Sequence, residues 1–460
     1  MSDRYSKLFA SYTEAITYSQ LPKETIHEVK RRILDSFGTA MSAIGEDTPK
    51  AVRNYAYDFA LAPGQRGSTL WGTATKTPPE IAGFVNGVAV RYLDFNDTYL
   101  SKEPLHPSDM IGALMALAEW NGNSTEELIT ALAIAYEIPI NLCDAASLRK
   151  NRWDHVNYIG IGTACGAAKL LGLKGEQIEH AISIAIVPHA SMRQTRAGEL
   201  SMWKGAAAAN SARNGVFGAL LAAKGVTGPY QPFEGEMGFF RQLLNGEKFD
   251  DRVLERLEKK EPPRRILDTY IKFWPVEYHA QSAVDAALQL HKKMNGAKIK
   301  SLHIDTFKAS YEIIAKDPEK WEPKTRETAD HSIQYITLVA LMDGKITKES
   351  FSHARIFDPT TRAILKNSVT VAEDPKLTEG YPFGIPNRIT VTTDDGQTHS
   401  LEVSFPRGHA QNPMSDSEVV EKLAANTEHC WTDAQRDRVV EMVFNYEKHT
   451  VAEVVEAIRI

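Results

Sequence analysis

The 460-residue chain has only three cysteines, Cys143, Cys165 and Cys430, and they are widely separated. They form no CxxC pair and no iron–sulfur ligand spacing, although distant cysteines could still assemble a cluster. So few cysteines suit a reducing compartment, and a cytoplasmic location is expected. There is no uninterrupted apolar run of about 18 residues, so no membrane span is expected. The first residues, Met1-Ser-Asp-Arg-Tyr-Ser-Lys7, lack the apolar centre of a signal peptide. Long basic runs are missing and the net charge is −6, which argues against nucleic acid as a partner. Walker, GxGxxG, HExxH and GxSxG motifs are absent, so nucleotide, zinc-protease and serine-nucleophile readings have no support. What remains is acid/base chemistry without a metal or cofactor.

The composition, 43% hydrophobic and 24% charged, permits a large core, and the length suggests two domains. Apolar spacing predicts helices over 24–44, from Pro79 through Val88, and over 126–142, the last with Ser124 and Glu127 as a capping box. Three stretches rich in glycine and alanine, 160–171, 177–187 and 204–221, predict helices packed closely in a bundle. Nearly everything to about residue 265 reads as helix. Strands are expected over 302–307, 368–372, 388–393 and 399–405. The last two flank Asp394-Asp395-Gly396-Gln397, a strong hairpin signal, and a helix over 330–342 lies between strands. Ser415 and Glu418 cap a final helical segment too small to stand alone. The fold class is therefore mainly α: a discontinuous all-helical domain, 1–268 with 406–460, and a smaller α+β domain over 269–405.

The densest polar stretch runs from Arg91-Tyr-Leu-Asp94-Phe-Asn-Asp-Thr98 to His106-Pro-Ser-Asp109. If its first part is helical, Asp94 and Thr98 share a face. His106 precedes a proline and so lies outside the helix that follows, for which Ser108 is a candidate N-cap. A ring there faces the positive end of the helix dipole, which favours the neutral imidazole and a base role. The bland alternative is a capped helix start with solvated carboxylates. Arg193, Arg196 and Lys204 offer three cations for an anionic ligand, or three solvated surface charges. Lys272 lies among Phe273, Trp274 and Tyr278 near the domain change, where desolvation would lower its pKa; otherwise its stem simply rests on aromatic rings. Tyr311 is a phenol suited to acid catalysis or to the core. Asp330 in Asp330-His331-Ser332 reads best as a helix cap, and His155 beside Asp154 is a weak signal.

Together these motifs resemble the MmgE/PrpD family, in the right order along nearly the whole chain. They are Asp94 to Thr98 with His106-Pro-Ser, Trp153-Asp-His155, Arg193-Gln-Thr-Arg196, Ser201-Met-Trp-Lys204, Phe233-Glu-Gly235, Lys272 with Pro275 and His279, Ala329-Asp-His-Ser332, and Asn412-Pro-Met-Ser415. The family's activities include dehydration of 2-methylcitrate, decarboxylation of cis-aconitate and epimerisation of iminodisuccinate. The resemblance implies a helical domain split in sequence, an α+β lid, a metal-free site between them and a homodimer. It carries over Asp94, Thr98, His106, His155, Lys204, Lys272 and Tyr311 as site residues; the reading of this chain then expects catalytic roles for His106, Asp94, Lys272, Tyr311 and His155, and substrate contacts for Thr98, Lys204, Arg193, Arg196 and His279. Tyr311 rests on strand alignment alone. In the decarboxylase branch a histidine stands two positions after the equivalent of Pro275, whereas this chain has Glu277. That departure favours dehydration of a tricarboxylate. Decarboxylation, epimerisation and a catalytically silent helical binding protein remain as alternatives.

Overall fold

The computed structural model describes residues 3–460. Helices form where the apolar spacing places them. Lys23–Ala43 buries Val29, Ile33, Phe37 and Met41 on one face. Thr125–Ala145 starts at the Ser124–Glu127 capping box. That helix is long and apolar enough to cross a membrane, but 94% of its apolar window lies inside the protein. The bundle's centre is Val156–Leu170, Glu176–Ile186 and Trp203–Ala223, with Pro79–Tyr92 packed on the last. Their small residues are needed for close approach. A methyl group on Gly215 would lie 2.7 Å from Thr163 Cβ and 2.8 Å from the Ala164 nitrogen.

The final helices join this core. Asp416–Thr427 packs on Lys23–Ala43, with Val419 and Leu423 in the same apolar cluster as Ile33 and Phe37. A second cluster is built on a four-stranded sheet in the order Val369–Glu373, Ile299–Thr306, Asn387–Thr393, Thr398–Val403. The first pair is parallel and the others antiparallel. Asn387–Thr393 alternates buried and half-buried residues, and Gly396 turns the hairpin at φ +85°. Gln281–Met294 and Ile333–Asp343 supply Val284, Leu290, Ile336 and Val339 to the apolar cluster. The fold is thus mainly α with a smaller α+β region.

Three expectations change. The stretch from 224 to 250 is mostly irregular, with one short helix, Phe239–Leu243. Gly225, Gly228-Pro229, Pro232, Gly235 and Gly238 break the helical pattern there, and Tyr5, Phe233, Phe240 and Phe249 pack ring against ring instead. Asp94 and Thr98 do not share a helical face, because the helix ends at Tyr92 and Asp94 turns the chain at φ +52°. Asp97–Thr98 is then extended and pairs with Tyr270–Ile271. Ser108 is not a cap. Its N–H donates to Asp97 Oδ1 at 2.9 Å, and its hydroxyl accepts from Asn96 at 2.9 Å, inside a 3₁₀ turn that precedes Ile111–Asn121.

Candidate active site

The turn at Asp94 sends its carboxylate into a buried cluster of cations. Arg91 Nη1 lies 2.9 Å from Oδ1 and Lys204 Nζ lies 3.0 Å from Oδ2. Lys272 Nζ donates to Oδ1 and to the Asp94 carbonyl. Burial works to raise the Asp94 pKa, but Arg91, Lys204 and Lys272 hold it well below the carboxylate range. Lys272 is fully buried, and that burial lowers its pKa against the pull of Asp94. The expected desolvation is therefore present. Lys204 also meets Asp330 at 3.1 Å and His331 Nδ1 at 3.3 Å. It is thus not a free surface cation.

His106 stands just before the 3₁₀ turn Pro107–Met110, outside the helix as its place before proline requires. Its Nδ1 lies 2.8 Å from the Asp97 carbonyl. A carbonyl only accepts, so Nδ1 carries the proton and Nε2 is left with a lone pair. Burial, then Arg91 and Lys272, hold the ring's pKa well below its ordinary value. The ring is neutral, mainly through desolvation and neighbouring cations. His155 packs edge-on against it with centroids 5.7 Å apart. Its Nδ1 faces Asp154 at 3.3 Å, and its buried Nε2 has no hydrogen-bond partner among the described residues. Burial and Arg196 lower the His155 pKa to about 3.

Arg91, Asp94, Lys204, His106 and His155 line a cavity of about 80 Å³, whereas Lys272 is outside its wall and meets it through the Asp94 carboxylate. Ligand sites usually span about 300–1,000 Å³, so this cavity is smaller than most. Thr98, Arg193, Arg196 and His279 also line it. The Thr98 hydroxyl donates to the Leu105 carbonyl at 3.1 Å, which leaves it free to accept. Arg196 is held 3.1 Å from Asp154. His279 Nδ1 lies 2.7 Å from Glu277, and its Nε2 is 3.5 Å from the Tyr381 hydroxyl. Burial opposes ionisation of Glu277, but His279 brings its pKa down to about 2. Tyr311 does not line the cavity. It is half-buried against the smaller apolar cluster, within the π-type turn Tyr311–Ala315, whose Ile313 is the side chain that reaches the cavity.

Several lining residues went unremarked in the sequence. Arg149 and Lys320 carry no local pattern, Arg91 and His331 stood inside quoted motifs without a role, and Glu277 was noted only as a departure. Asp330 was misread. Ser332 makes the cap, accepting from the Tyr335 N–H, and Asp330 is free to hold Lys204. Among the described residues Arg149, Arg193 and Lys320 line the cavity without a carboxylate partner. Asp94, Asp330 and His331 bring ligand-type atoms within 4.8 Å of one another, as a metal would require. Arg91, Lys204 and Lys272 already face that donor set, so its charge is balanced by protein cations. A larger cavity of about 480 Å³, walled by Phe95, Phe273, Trp274 and Ile346, lies elsewhere and holds none of the histidines described above.

The fold is mainly helical with a smaller α+β region, and it holds a buried cluster of Asp, Lys and His side chains. The MmgE/PrpD N-terminal domain model matches residues 7–252 and the MmgE/PrpD C-terminal domain model matches residues 274–446. The chain belongs to the MmgE/PrpD family and is an enzyme. It is 29% identical to the 2-methylcitrate dehydratase of Cupriavidus necator over 421 residues, 86% of this chain and 84% of that protein. It is 28% identical to the 2-methylcitrate dehydratase of Escherichia coli K12 over 434 residues, 89% and 87% of the two chains. Human cis-aconitate decarboxylase is also similar, 27% identical over 454 residues, 95% and 91% of the two chains.

Proposed function

We propose that the enzyme is a hydro-lyase that removes water from 2-methylcitrate, with citrate as a second substrate, to give 2-methyl-cis-aconitate. The observation that carries this reading is the cavity wall itself. Three cations without carboxylate partners, Arg149, Arg193 and Lys320, surround a pocket that also holds two neutral imidazoles. Three carboxylates of one substrate would satisfy those cations. The named dehydratases among the relatives support the same reaction.

In this mechanism His106 Nε2 takes the proton from the carbon that bears the methyl group. The C–H electrons form the double bond as the neighbouring C–O bond breaks. Lys272, held on Asp94, gives a proton through that carboxylate to the departing hydroxide, which leaves as water, and solvent then resets both groups. Cations stabilise the charge that develops on the adjacent carboxylate. Asp94 orients Lys272 and Lys204, Thr98 accepts a hydrogen bond from substrate, and His155 shields or assists His106. The region 269–405 would act as a lid that opens to admit substrate and closes to exclude water. A homodimer is the proposed assembly.

Proton NMR of chelator-treated enzyme with 2-methylcitrate, citrate and cis-aconitate in parallel tests the assignment. Unsaturated tricarboxylate from 2-methylcitrate is expected. Itaconate from cis-aconitate, or no change in any tube, would overturn it.

A further inference from the structure

The C-terminal helix reaches the back of the site through one side chain. Lys422, on Asp416–Thr427, is buried with its side chain 3% exposed. Its Nζ donates to the Phe95 carbonyl at 2.8 Å and to the Lys272 carbonyl at 2.6 Å. These bonds span 327 and 150 residues of chain. One of the carbonyls follows Asp94 directly and the other belongs to Lys272 itself. A third contact, 2.6 Å to Asp35 Oδ1, compensates the buried charge, and the ammonium also lies 4.0 Å from the centre of the Phe95 ring. Arg32, one turn before Asp35, extends the same layer. It donates to the Thr269 carbonyl at 3.1 Å and lies 3.4 Å from Asp97, whose own carbonyl holds His106.

The geometry points to Lys422 as a positioning residue: an ammonium clamp that joins the two backbone segments carrying Asp94 and Lys272 and fixes those side chains against each other. Lys422 does not line the 80 Å³ cavity, so it touches no substrate there. A buried lysine serving packing alone would not place both of its backbone bonds on these segments. Loss of the clamp lets the Lys272 ammonium move relative to Asp94, and small misplacements of a proton donor cost rate rather than affinity.

The inference rests on the reading of Asp94 and Lys272 as catalytic partners, and two readouts separate its failure from failure of that reading. D35N/K422M removes the clamp without stranding a buried charge. K422R retains both charge and donors, and the 480 Å³ cavity that Lys422 also lines gives room for the longer side chain. With 2-methylcitrate, D35N/K422M is expected to lose about tenfold or more in kcat while KM changes by less than about threefold, and K422R to stay within about threefold in both. Independently of turnover, acetic anhydride labelling mapped by mass spectrometry should modify Lys272 about fivefold more in D35N/K422M than in the unmutated protein. Lys259, an exposed lysine beside Glu255, serves as the internal reference. Unchanged Lys272 labelling in the folded double variant overturns the clamp, as does a rise in KM without a fall in kcat. If the double variant does not fold, K422R decides: kcat and Lys272 labelling near the unmutated values uphold the proposal, and a folded K422R with about tenfold lower kcat overturns it. If the unmutated enzyme leaves 2-methylcitrate untouched, the substrate reading fails and the labelling alone decides.

Discussion

Replacing Asp94 with asparagine isolates the charge at the centre of the site. The side chain keeps its size, and asparagine tolerates the left-handed φ of +52°. What disappears is the carboxylate that faces Arg91 at 2.9 Å, Lys204 at 3.0 Å and Lys272. Removing one partner of a buried ion pair costs about 3–5 kcal/mol, because the other charge is left uncompensated. Lys204 keeps Asp330 at 3.1 Å, so the loss should lie near the lower end, about 3 kcal/mol. Urea unfolding of D94N, K204M and the double variant at pH 7 measures it. The double variant removes one stranded cation, so its loss should fall short of the sum of the singles by about 1–3 kcal/mol. The sign with pH follows from the depressed carboxylate. Its contribution is complete above the unfolded value of about 3.9 and is lost as pH falls through the lower folded value. The gap between D94N and the unmutated protein should therefore be constant from neutral pH down to about 5 and shrink at still lower pH. D94N as stable as the unmutated enzyme at pH 7, or strictly additive single variants, would refute the reasoning.

H106Q should lower kcat by about 10²–10⁴. Because burial, Arg91 and Lys272 keep the His106 pKa well below its ordinary value, its neutral form persists down to low pH; the acid limb of kcat/KM that it sets should lie below about pH 6, with activity lost as pH falls through it. R149M removes a cation that has no carboxylate partner, and should raise KM for the tricarboxylate about tenfold with little change in kcat. Y311F should leave steady-state rates within about twofold, since the ring stands against the smaller apolar cluster and not in the cavity. G215A places a methyl group 2.7 Å from Thr163 Cβ and should lower stability by about 1–3 kcal/mol in thermal or urea melts.

The helices, the capping boxes and the hairpin were legible because each rests on a local rule: apolar spacing, a serine three residues before a glutamate, or Asp-Gly between alternating strands. The histidine before proline at 106 was legible for the same reason. The turn at Asp94 was not, since no glycine or proline marks it and the cations that meet its carboxylate include Lys204 and Lys272 from far along the chain. Asp330 was hidden by a competing local explanation, because an aspartate before a helix reads as a cap until Ser332 is seen to fill that place. Arg91, Arg149 and Lys320 are single cations whose meaning lies in what they face across the fold. Lys422 was the least visible, since two of its partners are carbonyls and no side-chain pattern announces a backbone acceptor.

The most direct measurement is deuterium incorporation into 2-methylcitrate recovered after incubation in D2O with the unmutated enzyme and with H106Q, read by NMR. The account predicts deuterium at the carbon bearing the methyl group with the unmutated enzyme, and almost none with H106Q. Incorporation by H106Q at the unmutated rate would remove His106 as the base, and incorporation by neither, with no unsaturated product formed, would contradict dehydration at this site.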